Sequence, residues 1–465
     1  MADWIVRLSS LQIRNMKNVE YGKIIMPKNY NKDMSYKGAE VLGIYGQNGS
    51  GKTTIVDSMY FLQKILLGES LCDELCDYIR VGEKNAEIVA DFIMFAENIV
   101  YEVCYTIVLQ KKENGVEIVR ESLSCAKNYE GKRTNKTVFM EFNREDSKTV
   151  FSPKVRYDEF IALDKENKTD LLVAKKIAEK SNCSYIFGET SRELFLCDFK
   201  KGIWEYAKII NALVGFGLKD LFVIRNEHSG CISANDILPM AFKIADKQGG
   251  IKGDFVLPIT EPIVIPKEHM ELLETIVEQI NIVLRTIIPG MEIEIKNYGE
   301  QLCDDGKLGY KSELLSVKKD ALPIPIRMES EGIIKIISIL NALIQAYASP
   351  SVCLIIDELD AGIFEYMLGE LLDVFNKSAK GQLVFTSHNL RALEMLNKEN
   401  IMFSTANFKN RYIHLKNYRD GLNNMRDFYL RGITLGGQDE IIYEETDSLK
   451  MARAFRKAGR IINND

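Results

Sequence analysis

The chain has 465 residues, 46% of them hydrophobic and 27% charged, with a formal net charge of −6, enough length for two or three domains around a sizeable core. The mild acidity argues against a surface given over as a whole to nucleic acid, although a local basic groove is compatible with it. Nine cysteines without a CxxC pair, the nearest approach being Cys72 and Cys76, argue against a disulfide framework or a zinc site.

The start, MADWIVRLSS, lacks the basic residues and apolar core of a signal peptide, and no apolar run reaches membrane-spanning length. A soluble, cytoplasmic chain with no membrane partner is expected. Trp4–Ile13 and Val19–Met26 alternate apolar and polar residues like paired strands, and the polar, turn-rich Pro27–Gly38 reads as a surface connection. Next come the apolar run Val41-Leu42-Gly43-Ile44-Tyr45, the octet Gly46-Gln47-Asn48-Gly49-Ser50-Gly51-Lys52-Thr53, and a helical pattern from Thr54 to Leu67.

The octet fits GxxxxGK(S/T) in the strand, loop and helix context of a phosphate cradle. Its glycines allow tight turns that present backbone N–H groups, and the helix starting at Lys52 adds the positive end of its dipole. Gly46, Asn48, Gly49, Ser50, Gly51, Lys52, Thr53 and Thr54 are the expected phosphate-binding residues. Lys52 would reach the β and γ phosphates, and the Thr53 hydroxyl would ligate Mg²⁺. The other reading is a glycine-rich turn with an incidental lysine.

From Ala86 to Phe142 the runs AEIVADFIMF, IVYEVCYTIVLQ, GVEIVRESLSCA and KTVFMEF, parted by turns such as Glu113-Asn114-Gly115, predict an antiparallel meander. From about residue 155 to 290 the apolar spacing in LLVAKKIAEK, ELFLCDFKKGIWEYAKIINALV, ANDILPMAFKIADK and EHMELLETIVEQINIVLRTII predicts amphipathic helices. No heptad is sustained, so a compact helical insertion is expected rather than a coiled-coil arm, ended by Pro289-Gly290. Strand patterns resume at Met291–Ile295, Leu308–Tyr310 and Leu322–Met328. A helix over Gly332–Tyr347, a strand over Val352–Ile356, a helix over Ile363–Phe375 and a strand over Leu383–Thr386 then predict a parallel sheet with crossover helices. The expected division is an N-terminal lobe over 1–150, a helical insertion over 151–290 and a C-terminal lobe over 291–465.

Ser351-Val352-Cys353-Leu354-Ile355-Ile356-Asp357-Glu358 is a continuous apolar run ending in two acids. A buried parallel strand reads this way, and its carboxyl end is where α/β proteins bind ligands. Asp357 is expected beside the Mg²⁺ held by Thr53, and Glu358 would take a proton from the water that attacks the γ-phosphate. Acids at a strand end also suit any helix N-terminus that follows. Roughly three hundred residues part Lys52 from Asp357, far more than a compact P-loop enzyme uses. The fold class expected is therefore α/β, a P-loop head split by an insertion, with a mixed central sheet and an antiparallel meander.

On these residues the chain resembles the ABC-type ATPase heads of the SMC and overcoming-lysogenization-defect group, in the variant known as AAA-type, ABC-like ATPases. There the phosphate loop and the acid strand lie at opposite ends of the chain, and the ligands implied are ATP and Mg²⁺. The resemblance matches the signature motif to Glu329-Ser330-Glu331-Gly332, where Ser330 and Gly332 would meet ATP held by a second copy. A plain serine N-cap is the other reading. The D-loop corresponds to Leu359-Asp360-Ala361-Gly362, with Asp360 near the nucleotide, and the switch histidine to His388 in VFTSHN. A γ-phosphate sensor and a satisfied core histidine are the two readings of His388. Arg14 or Lys17 would approach the nucleotide as basic residues do in related heads, or stand as surface charge. The Q-loop glutamine lacks a convincing counterpart, Gln110 being the nearest candidate.

The signature differs from the LSGGQ of transporters, and the heptads and CxxC tip of zinc-hook repair ATPases are missing. The residues after His388 carry no acid cluster like that of a fused TOPRIM nuclease. The whole is similar to ATPase subunits of two-component bacterial anti-phage systems such as the PARIS-type ATPase. That resemblance implies a homodimer or higher homo-oligomer assembled around ATP as a conformational switch. It also implies as partner a separate effector, for example a TOPRIM nuclease, or a phage-encoded trigger. The alternative is an SMC-like DNA-binding ATPase of repair or chromosome maintenance. Asn424–Arg431, Gly436-Gly437-Gln438 and the basic helix Ala452–Arg460 suit a protein interface or a solvated tail.

Overall fold

The computed structural model describes residues 4–461 apart from 28–37, 72, 97, 114, 147–149, 165, 197–204, 227–235, 245–250, 304–305, 417–423, 436–437 and 445. Cys72, Asn114, Gly436, Gly437 and most of the Pro27–Gly38 connection lie outside the described residues.

The central sheet has six strands in the order Tyr412–Ile413, Ile401–Ser404, Glu40–Tyr45, Gln382–Ser387, Cys353–Ile356, Leu221–Ile224. All pair in parallel except Tyr412–Ile413. Every residue of Glu40–Tyr45, Cys353–Ile356 and Gln382–Ser387 is buried, as strands covered on both faces require. Parallel pairing aligns the carboxyl ends: Ser387 stands beside Tyr45, and Ile356 lies between Phe385 and Ile224. The turns after these strands, starting at Gly46, Asp357, His388 and Arg225, are thereby delivered to one edge.

A seven-stranded antiparallel sheet holds Val19–Ile25, Ile5–Met16, Asn85–Ala96, Ile99–Lys112, Gly115–Tyr129 and Lys132–Arg133 in that order, with Thr137–Asn143 also on Gly115–Tyr129. Its inner face shares one core with the helix Lys52–Leu66, through Ile13, Phe92 and Tyr105 packed with Ile55, Met59 and Leu62. The two sheets are locked at a buried junction. Arg7 pairs with Glu40 at 3.2 Å and donates to the carbonyls of Pro350 and Lys380, while the Gln382 amide bridges the backbone of Leu8. With its donors satisfied, such a pair is costly to break by removing one partner.

The helix Glu331–Ala348 serves two further cores. Ile339, Ala342, Leu343 and Ala346 face the far side of the central sheet, whereas Ile334, Ile337 and Leu340 pack with Leu238, Met240 and Phe242 and with the helix Lys267–Ile287. Two apolar stripes on one helix explain a composition apolar enough to cross a membrane in a helix that is 56% buried.

Two expectations are corrected. ANDILPMAFKIADK is not a helix: Ile237–Ile244 is a strand paired antiparallel with Ile251–Pro258. Leu238, Met240 and Phe242 alternate into the core, and Pro239 has no N–H to give a helix interior. Nor is the stretch 151–290 a purely helical insertion. The helices Lys154–Leu163, Asn167–Ser181, Glu189–Leu196 and Glu205–Gly215 join the first core, and Leu221–Ile224 then enters the central sheet as its edge strand. A four-residue apolar run is too short for periodicity to separate it from the end of the preceding helix.

Candidate functional site

The phosphate loop leaves Glu40–Tyr45 and turns into its helix through Gly51, whose φ is +89°. At Gly46, with φ +150°, an added Cβ would fall 2.0 Å from Ser404 Oγ, so a side chain there would displace Ser404 on top of a strained backbone. Ser50 Oγ donates to the Gln47 carbonyl at 2.7 Å and lies 2.5 Å from Ser404 Oγ. The Lys52 ammonium donates to the carbonyls of Gly46 at 2.9 Å and Gln47 at 3.0 Å. Burial holds its pKa below the usual lysine value, against the opposing pull of Asp357, Glu358 and Asp360. Ser50 and Thr54 are buried, while Asn48, Gly49 and Thr53 are exposed.

Residues far along the chain brace the loop. Asn18 Nδ2 donates to the Gly49 carbonyl at 2.5 Å, Arg411 holds the Asn18 carbonyl at 2.8 Å, and the Tyr412 hydroxyl donates to the Gly51 carbonyl at 2.6 Å.

Thr53 Oγ1 is 3.5 Å from Asp357 Oδ1. The same carboxylate oxygen accepts from Thr386 Oγ1 at 2.6 Å, and Thr386 Oγ1 in turn accepts the Glu358 N–H at 2.7 Å. Burial raises the Asp357 pKa, and the hydroxyls of Thr386 and Thr53 oppose that shift. Glu358 has a left-handed backbone, φ +49°. Its carboxylate accepts from Asn226 Nδ2 at 2.7 Å and its carbonyl from Lys335 Nζ at 2.6 Å. Asp360 Oδ2 accepts the His388 N–H at 3.0 Å, and Asp360 Oδ1 is buried with no hydrogen-bond partner among the described residues. His388 is exposed as a residue, yet partial burial of its imidazole, with Lys52 adding to it, lowers its pKa against the pull of Asp360, Glu358 and Asp357.

Ser330 stands at the N-cap of Glu331–Ala348, φ −67° and ψ 150°, yet its hydroxyl makes no capping hydrogen bond. It is exposed. Glu329 is instead structural: buried, it accepts from Ser316 Oγ at 2.6 Å and Lys318 Nζ at 2.7 Å. Gly332 packs against Gly362.

The fold thus gathers Lys52, Thr53, Asp357, Glu358, Asp360 and His388 on one sheet edge. Other candidates have different partners. Arg14 pairs with Glu87 at 3.2 Å, Lys17 with Asp57 at 2.5 Å, and Gln110 donates to Asn85 Oδ1 at 3.1 Å. Asn226, Lys335 and the bracing Asn18 are absent from the sequence reading. The one available signal for Asn226 was the short apolar run before it.

The donor set suits phosphate and Mg²⁺. Loop N–H groups at a helix N-terminus suit phosphate, and a hydroxyl beside a carboxylate offers the hard oxygens that Mg²⁺ takes when most of its shell is phosphate and water.

The molecule is a mixed α/β fold in which a glycine-rich loop and an acid-ended strand, roughly three hundred residues apart in the chain, open on one edge of a largely parallel sheet. No protein-family model matches it. Over 86 residues it is 33% identical to the DNA replication and repair protein RecF of Deinococcus radiodurans, a match spanning 18% of this chain and only 20% of that protein. Among solved structures, the Smc head domain with an extended coiled coil bound to the C-terminal domain of ScpA, derived from Pyrococcus furiosus, has a TM-score of 0.41 at 14% identity, covering 88% of this chain and 96% of that one. The Smc head domain with a coiled coil and joint from Pyrococcus yayanosii has 0.43 at 12%, covering 92% and 100%. The recombination mediator protein RecF with ATP has 0.33 at 13%, covering 83% and 94%.

Proposed function

We propose that this chain is an ABC-type ATPase that binds ATP with Mg²⁺, assembles around it as a dimer or higher homo-oligomer, and uses hydrolysis as a conformational switch. One observation supports this above the rest: the phosphate loop and the acids Asp357 and Glu358 open on the same sheet edge, with Thr53 Oγ1 3.5 Å from Asp357 Oδ1. Lys52 would exchange the loop carbonyls for the β and γ phosphates, a move that charge on the ligand favours. Gly46 to Thr54 would cradle the phosphates through backbone N–H groups.

Thr53 and Asp357 would hold Mg²⁺, which when bound neutralises phosphate charge. Glu358 takes a proton from the attacking water, with one carboxylate oxygen free of the Asn226 amide. His388 and Asp360, joined through a backbone hydrogen bond, sense the γ-phosphate from the next strand. On a second copy, the Ser330 hydroxyl and the helix start at Gly332 close over the nucleotide, and the absence of a cap bond at Ser330 supports that role. The lobes over 1–150 and 291–465 would form the head, with 151–290 carrying partner or trigger contacts.

In the cell we infer a cytoplasmic sensor of bacterial anti-phage defence that controls a separate effector, such as a TOPRIM nuclease, in response to a phage-encoded trigger. The helix Ser448–Ile461, exposed from Ser448 to Gly459 and carrying the exposed Lys450, Arg453, Arg456 and Phe455 (72% exposed), supports a protein partner. The match to RecF favours a second reading, a DNA-binding ATPase of repair.

The test is phosphate release by the purified chain with and without Mg²⁺, beside Lys52→Ala, and light scattering with and without ATP. Mg²⁺-dependent turnover lost in Lys52→Ala, with ATP-driven growth in mass, is the expected result. Failure of the wild-type chain to bind ATP overturns the reading. Duplex DNA affinity that falls steeply with salt supports the repair role, whereas an effector co-purified only with ATP supports defence.

A further inference from the structure

Glu358 is gripped at three points by three separate elements. Its N–H donates to Thr386 Oγ1, its carbonyl accepts from Lys335 Nζ at 2.6 Å, and its carboxylate Oε2 accepts from Asn226 Nδ2 at 2.7 Å. Its φ of +49° is a conformation that a residue with a Cβ holds only when its surroundings impose it. Thr386 belongs to the central sheet. The other two grips come from elsewhere.

Asn226 follows the edge strand Leu221–Ile224, whose Ile224 carbonyl accepts the Asp357 N–H at 2.9 Å. The residue between them, Arg225, is fastened to the P-loop helix, with Nε on Asp57 at 3.1 Å and its guanidinium 4.3 Å from the centre of the Tyr60 ring. Asn226 is therefore set by the sheet on one side and by the P-loop helix on the other. On its other side the helix Glu331–Ala348 carries the Ile334, Ile337 and Leu340 stripe, on which Leu238, Met240 and Phe242 of the strand Ile237–Ile244 pack. Lys335 lies on that same helix, a little over one turn after Ser330.

We propose that Asn226 and Lys335 are positioning residues that together aim the Glu358 carboxylate, so that base action depends on where the layer bearing Ser330 sits against the central sheet. The amide engages only Oε2 and leaves Oε1 to meet water, which orients the base without blocking it. Lys335 fixes the peptide that carries the left-handed turn. A shift of the helix Glu331–Ala348 against the central sheet moves Lys335 and its hold on the Glu358 carbonyl, while Asn226 stays with the sheet edge and the P-loop helix. Small misplacement of a base is enough to change rate without changing ligand affinity. The inference rests on Glu358 acting as the base.

The experiment measures ATP affinity and single-turnover hydrolysis for Asn226→Ala, Lys335→Met and Lys335→Arg, each alone and with Glu358→Gln. Asn226→Ala and Lys335→Met are expected to lower the hydrolysis rate by roughly ten- to a hundredfold, with ATP affinity within about twofold of wild type. Lys335→Arg keeps a donor and should retain most of the rate. In the Glu358→Gln background neither change should slow the residual reaction further, because both act through Glu358. Wild-type rates in both single variants, or an undiminished further loss in the double variants, overturn the proposal while leaving the ATPase reading intact. Wild-type turnover by Glu358→Gln alone overturns the base assignment, and the clamp with it.

Discussion

Gly332 lies against Gly362: an added Cβ on Gly332 would sit 2.0 Å from the Gly362 carbonyl oxygen. Gly362 has φ +74° and ends the turn that carries Asp360. The start of the helix Glu331–Ala348, with Ser330 at its cap, is thus packed backbone to backbone against the segment that follows Glu358. A clash with a carbonyl cannot be relieved by a rotamer change, so a side chain here must push helix and turn apart. Gly332→Ala is expected to cost about 1–3 kcal/mol of stability and to weaken ATP-dependent assembly. Calorimetry and light scattering on one sample read both, and no change in either would mean that the two segments separate freely.

The Glu358 carboxylate accepts from Asn226, whereas the Lys52 ammonium is held by the carbonyls of Gly46 and Gln47. Glu358→Gln is therefore expected to leave ATP binding intact while turnover falls by roughly a hundredfold or more, so that the ATP-bound assembly persists. Turnover near the wild-type rate would remove Glu358 from the role of base.

Local pattern made much of this site legible. The glycine spacing of the octet, the apolar run ending at Asp357 and the Ser330 cap position are each written within a few consecutive residues, and so was the alternation of the meander. What escaped is what the fold brings together across distance. Asn226 reaches Glu358 over 132 positions, and its four-residue strand earns no periodicity of its own. Lys335 reads as one charge interrupting an apolar helix, and only the packing of that helix on the central sheet gives it the Glu358 carbonyl. The strand at Ile237–Ile244 was legible in principle: Leu238, Met240 and Phe242 alternate, but the surrounding helices favoured the helical period.

At Ser330 the exposed hydroxyl without a capping bond predicts a clean separation of effects. Ser330→Arg adds a long cation at a surface position, where substitution should change stability by no more than about 0.5 kcal/mol. ATP binding by the monomer should be retained, because Lys52 and Thr53 lie on another element. ATP-driven growth in mass should be lost. Assembly at the wild-type level would argue against closure of the site by a second copy.

Glu121 tests the scaffold beneath the site. Fully buried, it accepts from the Tyr105 hydroxyl at 2.7 Å, Ser184 Oγ at 2.5 Å and the Tyr185 N–H at 2.7 Å, tying the meander to the segment that follows the helix Asn167–Ser181. Burial raises its pKa more than these donors lower it. A carboxyl whose folded pKa lies above its unfolded value contributes stability that is fully present below the unfolded pKa and lost as pH rises through the folded one. Tyr105→Phe removes a donor that favours the ionised form, pushing the folded pKa higher still. Its cost should therefore be small at acid pH, where the native carboxyl holds a proton, and grow to about 1–3 kcal/mol at alkaline pH, where a buried carboxylate is left short of a donor. Urea unfolding of wild type and Tyr105→Phe at pH 5 and pH 8 measures the difference. An equal loss at both would show that Glu121 keeps one protonation state across that window.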